Sequence, residues 1–257
     1  MIPRRRVILL GASNLVRSLS TVVETVRLVW QEPVEIMAAI GHGRSYGQDS
    51  QVLGRKISGI FPCALWQDLQ NRRPLPTTAL VTDIGNDLMY EVPVERLVEW
   101  VEGCCDRLAA VEATTIVTQL PMGSVRRVTE AQYRLFRALL FPRCSLSLSQ
   151  VKSAATRLND RLVELVGQRK IPAIPVSDAW YGFDPIHLKR SIQHTAWPAI
   201  LSGWRSDIES VAAPRRSLRR AVYLHRLAPF ERTIFGRVRR CRQPCGRLND
   251  GTTVSLY

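Results

Sequence analysis

Short apolar runs alternate with amphipathic segments along most of this chain, and this alternation limits the possible fold more than any other feature. Val7–Leu10 is an uncharged apolar run closed by Gly11, a pattern typical of a buried strand, and apolar residues at helical spacing follow it. The predicted strands are Val7–Leu10, Val34–Ile40, Ala79–Ile84, Thr114–Gln119 and Ala173–Val176. The first predicted helix begins near Ser13, with Ser13 or Asn14 as the expected cap, and the second runs from Pro93 to near Ala110. The remaining predicted helices are Thr129–Leu140, Val151–Val166 and Ser191–Leu201.

Strands that alternate with helices form a parallel sheet with helices on both faces. We therefore predict a flavodoxin-like three-layer α/β/α fold with a five-stranded parallel sheet. The chain has 257 residues, 46% of them hydrophobic, which is enough for a large core of this kind. In such folds ligands bind beyond the carboxyl ends of the strands, so the residues that follow each strand are the first candidates for a functional site.

The positive charge of the chain is concentrated near its C-terminus. Residues 214–257 hold eleven arginines against Glu231 and Asp250, so they carry +9 of the formal net charge of +14. We therefore divide the chain into a domain at 1–205 and a basic C-terminal extension at 206–257. Apolar residues among the arginines, and the Asn249-Asp250-Gly251 turn before a terminal strand at Thr253–Tyr257, indicate that this extension is ordered.

The partners of the basic extension are left as alternatives. We favour an ordered element with a solvated basic face over contact with nucleic acid or an anionic membrane, and over a role in self-association. The oligomeric state is not predicted. The pair Cys241 and Cys245 has no second Cys/His pair nearby, so no metal site is expected.

The N-terminal sequence bears on the compartment. The apolar stretch before Gly11 is four residues long, too short for the core of a signal peptide. No uncharged apolar run approaches the ~18 residues of a membrane-spanning helix. We expect a cytoplasmic protein.

Four short segments contain the residue types of a nucleophilic active site. Gly11-Ala12-Ser13-Asn14 places a serine directly after the first strand, at the positive end of a helix, although a serine there is also a common helix cap. A nucleotide-binding turn is excluded because no G-x-G-x-x-G pattern continues from Gly11. The other segments are Gly41-His42-Gly43-Arg44-Ser45, Gly85-Asn86-Asp87 and Asp184-Pro185-Ile186-His187.

Each of the other segments has both a chemical and a structural interpretation. The Asn86 amide can donate to an oxyanion, or Gly-Asn-Asp can simply form an Asx turn. Backbone N–H groups near Gly41 and Gly43 can approach the same oxygen, or the glycines can form a plain loop. Asp184 is close enough in sequence to orient the ring of His187, which can also be an ordinary surface histidine. His42 and Arg44 are the candidate substrate-binding residues.

Taken together, the four segments resemble the named sequence blocks of the SGNH/GDSL hydrolase family. The resemblance covers about residues 5–200 and implies that Ser13 is the nucleophile and that Asp184 and His187 complete a catalytic triad. It implies an oxyanion hole formed by the Ser13 N–H, the Gly43 N–H and the Asn86 side chain, and it requires no metal or cofactor. Ala12 replaces the usual aspartate before the serine. The expected asparagine before the glycine block is missing, so the choice between Gly41 and Gly43 stays open.

The function that this resemblance implies is hydrolysis of carboxylic esters, acyl or acetyl, through an acyl-enzyme on Ser13. The expected partner is a small-molecule ester. The Gly-x-Ser-x-Gly elbow of the α/β-hydrolases is absent, which favours the SGNH/GDSL resemblance. The alternative is a non-catalytic protein that uses its arginine-rich C-terminal region to bind nucleic acid or phosphorylated partners.

Overall fold

A computed structural model describes residues 2–52, 55–205, 211–215, 217–234 and 236–257. Its strands are β1 Arg5–Leu10, β2 Val34–Ala39, β3 Ser50–Val52, β4 Arg55–Ile57, β5 Thr77–Val81, β6 Thr114–Thr118, β7 Ala173–Ile174, β8 Glu231–Ile234, β9 Arg237–Arg240, β10 Gly246–Arg247 and β11 Thr253–Leu256. Its α-helices are α1 Ser13–Trp30, α2 Leu65–Gln70, α3 Val94–Ala109, α4 Met122–Arg127, α5 Glu130–Leu140, α6 Leu148–Gln168, α7 Gln193–Leu201 and α8 Leu218–His225. Short 3₁₀ helices cover Ile84–Tyr90, Asp178–Trp180 and Ser202–Trp204.

The central sheet has seven strands in the order β10-β11-β2-β1-β5-β6-β7. The five predicted strands are confirmed as β2, β1, β5, β6 and β7, which are mutually parallel. The predicted number of strands is wrong, because β11 adds parallel to β2 and β10 adds antiparallel to β11. Both extra strands come from the residues predicted to form the basic extension. The division of the chain near residue 205 stays a prediction.

The sheet separates two apolar layers, which explains the uninterrupted apolar sequence of its central strands. In β1, Ile8 and Leu10 face a cluster that includes residues of α2, α3 and α6. Val7 and Leu9 face the opposite cluster, which includes residues of α1, α7 and α8. Because successive side chains of a strand point to opposite faces, a strand buried on both sides is apolar at every position. The predicted three-layer architecture is confirmed.

A second sheet, not predicted from the sequence, joins two distant parts of the chain. Its order is β3-β4-β8-β9, with all pairings antiparallel. The hairpin β3–β4 follows the Gly41–Ser45 segment, and β8 and β9 belong to the arginine-rich region. This sheet therefore connects the arginine-rich region to the segment that follows Gly41–Ser45, a candidate part of the functional site. None of the described helices combines the length and the apolar character that crossing a bilayer requires.

Candidate active site

Ser13, His187 and Asp184 form a continuous chain of hydrogen bonds. Ser13 is the first residue of α1, at the carboxyl end of β1, and its Oγ lies 2.8 Å from Nε2 of His187. Nδ1 of the same ring lies 2.7 Å from Oδ2 of Asp184. This arrangement can remove the proton of the serine hydroxyl while the carboxylate fixes the orientation of the ring. The three residues predicted as a triad are thus brought together, although their sequence separation reaches 174 residues.

Asp184 is held in place as an ionised carboxylate. Its Oδ1 accepts hydrogen bonds from the main-chain N–H groups of Ile186 and His187, both at 3.2 Å, which leaves Oδ2 for the imidazole. Burial by itself raises the pKa of Asp184, but the hydrogen bond and charge of His187 and the two main-chain donors outweigh it and lower the pKa overall. The carboxylate therefore stays charged at neutral pH and can stabilise an imidazolium on His187.

Asp83, a residue without a role in the sequence analysis, caps the helix that begins at Ser13. It follows β5 with a left-handed φ of +59°. Its Oδ2 accepts from the main-chain N–H groups of Ala12 at 3.0 Å and Asn14 at 3.1 Å. The expectation that Ser13 or Asn14 caps the helix is wrong, because Ala12 occupies the cap position and neither side chain forms the cap. The Ser13 hydroxyl is consequently left to His187.

Asn14 ties the nucleophile turn to the loop that carries the histidine. Its Nδ2 donates to Asp83 Oδ1 at 2.8 Å and to the Ile186 carbonyl at 2.9 Å. Its Oδ1 accepts from the Leu188 N–H at 2.9 Å. Both bonds to the loop flank His187, so the buried Asn14 side chain fixes the distance between histidine and serine. The only sequence signal for this role is the position of Asn14, directly after Ser13.

Asn86 is placed where its amide is available for hydrogen bonding. It lies in the 3₁₀ helix after β5 and is half-buried, and no residue in the described part of the chain hydrogen-bonds its side chain. Together with Asn14 and Ile186 it lines a largely apolar cavity. β5 pairs with β1 in register up to Val81 opposite Leu10, so the segments that follow the two strands share one edge of the sheet. The oxyanion role of Asn86 stays a prediction.

Gly43 has the backbone freedom that the predicted oxyanion loop requires. Its φ is +60°, a value that glycine adopts without strain. Its carbonyl accepts from the Tyr90 hydroxyl at 2.5 Å, and among described residues none accepts a hydrogen bond from its N–H. Gly41, by contrast, is buried, and a Cβ there would lie 3.2 Å from Ile57 Cδ1. This placement favours Gly43 as the donor, but the choice between the two glycines stays a prediction.

Asp87 joins the glycine loop to the asparagine turn. Its fully buried carboxylate accepts from the Ser45 hydroxyl and, at 3.0 Å, from the Tyr46 N–H. The Tyr46 hydroxyl in turn donates to the Thr82 carbonyl at 2.7 Å. Burial raises the pKa of Asp87 to about 6, and the hydrogen bonds from the Ser45 hydroxyl and the Tyr46 N–H limit this rise. The two loops predicted to supply oxyanion donors are therefore held together by a hydrogen-bond network that no local sequence pattern indicates.

Arg44, predicted as a substrate-binding residue, is buried. Its side chain is 1% exposed. Its guanidinium donates to the main-chain oxygens of Ser58 at 2.9 Å, Ile40 at 3.3 Å and Tyr257. These bonds use the Nε and Nη1 groups of the guanidinium, so the side chain supports the surrounding backbone. This burial does not favour contact with substrate, and that contact stays a prediction.

His42 lies on the open side of the site. The residue is exposed and lines a cavity together with Arg17, which is one helical turn after Ser13. Partial burial of its ring, followed by the electrostatic effect of the neighbouring His187 and Arg17, lowers the pKa of His42. Its predicted contact with substrate stays a prediction.

The fold of this chain is similar to those of solved structures that include an esterase. No family model matches the chain, and no curated protein matches its sequence. The solved structure of TesA superposes with a TM-score of 0.51 at 11% identity, covering 78% of this chain and 98% of that one. The solved structure of the acetyl xylan esterase AlAXEase has a TM-score of 0.50 at 10% identity, covering 77% and 98%. Identities this low establish the fold and leave the chemistry to the residues of the site.

Proposed function

We propose that this protein is a serine hydrolase that cleaves carboxylic esters through an acyl-enzyme intermediate. The observation that carries the proposal is the unbroken chain of hydrogen bonds from the Ser13 hydroxyl through His187 to the ionised Asp184 carboxylate. The fold is consistent with the proposal, since the acetyl xylan esterase named above has a similar fold.

The first half of the reaction acylates Ser13. His187 Nε2 takes the hydroxyl proton as Oγ attacks the ester carbonyl, and a tetrahedral oxyanion forms. The Asp184 carboxylate stabilises the imidazolium formed on His187. As the tetrahedral intermediate collapses, the bond between the carbonyl carbon and the alcohol oxygen breaks. His187 gives its proton to the departing alcohol, and the acyl group remains on Ser13.

The second half of the reaction releases the acid. His187 removes a proton from water, and the hydroxide oxygen attacks the acyl carbonyl to form a second oxyanion. Collapse expels Ser13 Oγ, which recovers its proton from His187. Net, one water is consumed and one alcohol and one acid are formed.

The oxyanion donors assigned by this proposal are the Ser13 N–H, the Gly43 N–H and the Asn86 amide. The Ser13 N–H lies at the positive end of α1, which favours negative charge. The Asn86 amide and the Gly43 N–H support their inclusion because neither has a hydrogen-bond partner within the described part of the chain. The apolar cavity beside Asn86, lined by residues such as Leu88 and Leu120, is the proposed location of the acyl chain.

The test is a screen of p-nitrophenyl acetate, butyrate and octanoate with the wild type and with Ser13→Ala. We expect the wild type to hydrolyse at least one ester and Ser13→Ala to lower kcat by more than about a thousandfold. Asn86→Ala should lower kcat by about 10²–10³ with little change in KM, since an oxyanion donor acts mainly in the transition state. Ser153→Ala, on the exposed face of α6, is the matched control and should behave as wild type. Residual activity near wild type in Ser13→Ala would refute the proposal.

A further inference from the structure

A second cavity, with a volume of about 510 Å³, opens on the histidine side of the candidate site. Three separate parts of the chain form its walls. One is the N-terminal half of α1, which begins at Ser13; another is the stretch after His187; the third is the C-terminal region from Pro214 to His225. The cavity is therefore formed jointly by the catalytic elements and the arginine-rich region.

The ionisable side chains that line this cavity are all basic. Among the described residues they are three arginines and three histidines, and no carboxylate belongs to its lining. They are Arg17, Arg190, Arg215, His42, His194 and His225. Basic groups gathered in one concave surface produce a positive potential that attracts anions.

Two of these arginines have no neutralising neighbour among the described residues. Neither Arg190 nor Arg215 forms an ion pair or a hydrogen bond within the part of the chain that the structure describes, and both are exposed. Arg220, also in the C-terminal region but outside the cavity lining, pairs with Glu24. Arg17 is the one cavity arginine with a described carboxylate partner, Asp184, at 3.6 Å. The donors of Arg190 and Arg215 are thus available to an external anion.

The cavity lies along the face of α1 that also carries Ser13. Arg17 and Thr21 line it and follow Ser13 at intervals of four residues, so their side chains continue along the same face of the helix. His42, at the same end, lies close enough to His187 for the two rings to influence each other electrostatically. In ester hydrolysis His187 protonates the departing alcohol, so the alcohol portion of the substrate lies on this side of Ser13.

We infer that this cavity binds an anionic group, phosphate or carboxylate, on the alcohol portion of the ester. The inference rests on the proposed ester hydrolysis, and it gives Arg190 and Arg215 the role of substrate-binding residues. It also assigns part of the basic C-terminal region to substrate recognition within the same chain. Guanidinium groups suit this role because they bind phosphate or carboxylate through two parallel hydrogen bonds.

The kinetic test compares butyrate esters of matched alcohols. They are propyl butyrate, 4-(butyryloxy)butanoate, 3-(butyryloxy)propyl phosphate and the cationic 3-(trimethylammonio)propyl butyrate. We expect kcat/KM for the better anionic ester to exceed that for propyl butyrate by about tenfold or more, and the cationic ester to be the poorest. The phosphate and carboxylate arms show which anion is preferred. Raising the ionic strength to ~0.5 M should reduce the preference by screening.

Variants locate the preference. Arg190→Gln and Arg215→Gln should each reduce the ratio of kcat/KM between anionic and neutral esters by about fivefold to tenfold. Arg239→Gln is the matched control, since it removes the same charge from an exposed position on β9 outside the cavity, and it should preserve that ratio. Equal kcat/KM for neutral and anionic esters, with hydrolysis dependent on Ser13, would overturn the inference and leave the proposed function intact.

A binding measurement makes the inference independent of turnover. Calorimetry with 3-hydroxypropyl phosphate and 4-hydroxybutanoate, the anionic alcohol products, should show binding that Arg190→Gln and Arg215→Gln weaken by about tenfold and Arg239→Gln does not. 1-Propanol should show none. If no ester is hydrolysed but this pattern holds, the proposed function fails while the anion site stands. Absence of binding to either anion, or equal loss in all three variants, would refute the anion site.

Discussion

At the scale of single residues, the predicted triad depends on two side chains that the sequence did not identify. Ser13, Asp184 and His187 were predictable because each belongs to a short local pattern. Asn14 and Asp83 were not, because their roles arise from the adjacency of β1 and β5 and from the path of the loop after Asp184. No local pattern records which strands become neighbours, so residues that act across strands stay hidden in the sequence.

Arg44 shows a different limit of sequence-based prediction. A charged residue beside a catalytic motif was predicted to contact substrate, yet its guanidinium is buried against main-chain oxygens. The sequence alone does not show whether a loop arginine points into a cleft or into the backbone beneath it, since both environments need a long donor-rich side chain.

Replacing Asn14 with alanine should impair catalysis through the position of His187. The change removes the bonds to the Ile186 carbonyl and the Leu188 N–H, so the loop that holds the histidine is less restrained. We expect kcat to fall by about 10–100-fold with a smaller change in KM, because misplacement of a catalytic group acts on the chemical step. Steady-state kinetics on a p-nitrophenyl ester measures this.

The matched control is Asn71→Ala, which removes an exposed asparagine whose amide donates to the Gln67 carbonyl, one helical turn earlier in the chain. It should retain kcat within about twofold, as expected of a surface substitution. If Asn14→Ala kept wild-type kcat while losing stability, the side chain would have a purely structural role.

At the scale of elements, long periodic segments were predicted well and short, non-local strands were not. The five parallel strands and the main helices have continuous local patterns. β3, β4, β8 and β9 are three or four residues long, and β4 pairs with a strand far away in the sequence, so their pairing leaves no periodic signal. The start of α6 was predicted at Val151, three residues late, because its cap at Ser147 was not recognised.

The final strand offers a direct test of how deeply the C-terminal region enters the core. Val254 of β11 is 0% exposed and lies opposite Ile36 in the register with β2. Val254→Ala should lower the free energy of unfolding by about 2 kcal/mol, because two buried methyl groups are lost and a cavity remains. Chemical denaturation measures this change.

Val238 of β9 provides the matched control, since it is also a strand valine but is 55% exposed. Val238→Ala should change the free energy of unfolding by no more than about 0.5 kcal/mol. Equal effects of the two substitutions would mean that β11 does not belong to the core.

At the scale of the whole molecule, the sequence shows where the positive charge is concentrated. It predicts only part of the structural role of that charged region. Its ordered character was predicted from apolar residues between the arginines. In the structure, β10 and β11 complete the central sheet, and the main-chain oxygen of Tyr257 accepts a hydrogen bond from the buried Arg44 guanidinium. The net charge of a region, and whether it is ordered, can be predicted from its composition. The position of a strand in a sheet cannot, because it depends on tertiary packing.

Truncation after Ala213 should therefore destabilise the entire protein. The truncation removes β11, so the edge of β2 is left without its partner strand. It also leaves the buried Arg44 guanidinium without its Tyr257 acceptor. We expect loss of soluble protein or a clearly lower melting temperature. A soluble truncated form with an unchanged melting temperature would contradict this account.

Nucleic-acid contact through the arginine-rich region stays an alternative that is best examined in the full-length chain. Arg237 and Arg239 lie exposed on β9. The test measures DNA binding at two salt concentrations for the wild type and the Arg237→Gln/Arg239→Gln double variant. It decides whether this face acts as a phosphate-binding surface. Strong, salt-dependent binding that the double variant loses would favour the binding-protein alternative.

The central claim, that His187 activates Ser13 as a nucleophile, is tested most directly by covalent labelling with a fluorophosphonate, followed by peptide mass spectrometry. Such a probe reacts with a serine that an adjacent base activates. The account predicts one adduct, on Ser13, formed quickly by the wild type, at least about a hundredfold more slowly by His187→Ala, and not at all by Ser13→Ala. No adduct on Ser13, or labelling of Ser13 at the same rate with and without the His187 imidazole, would contradict the account.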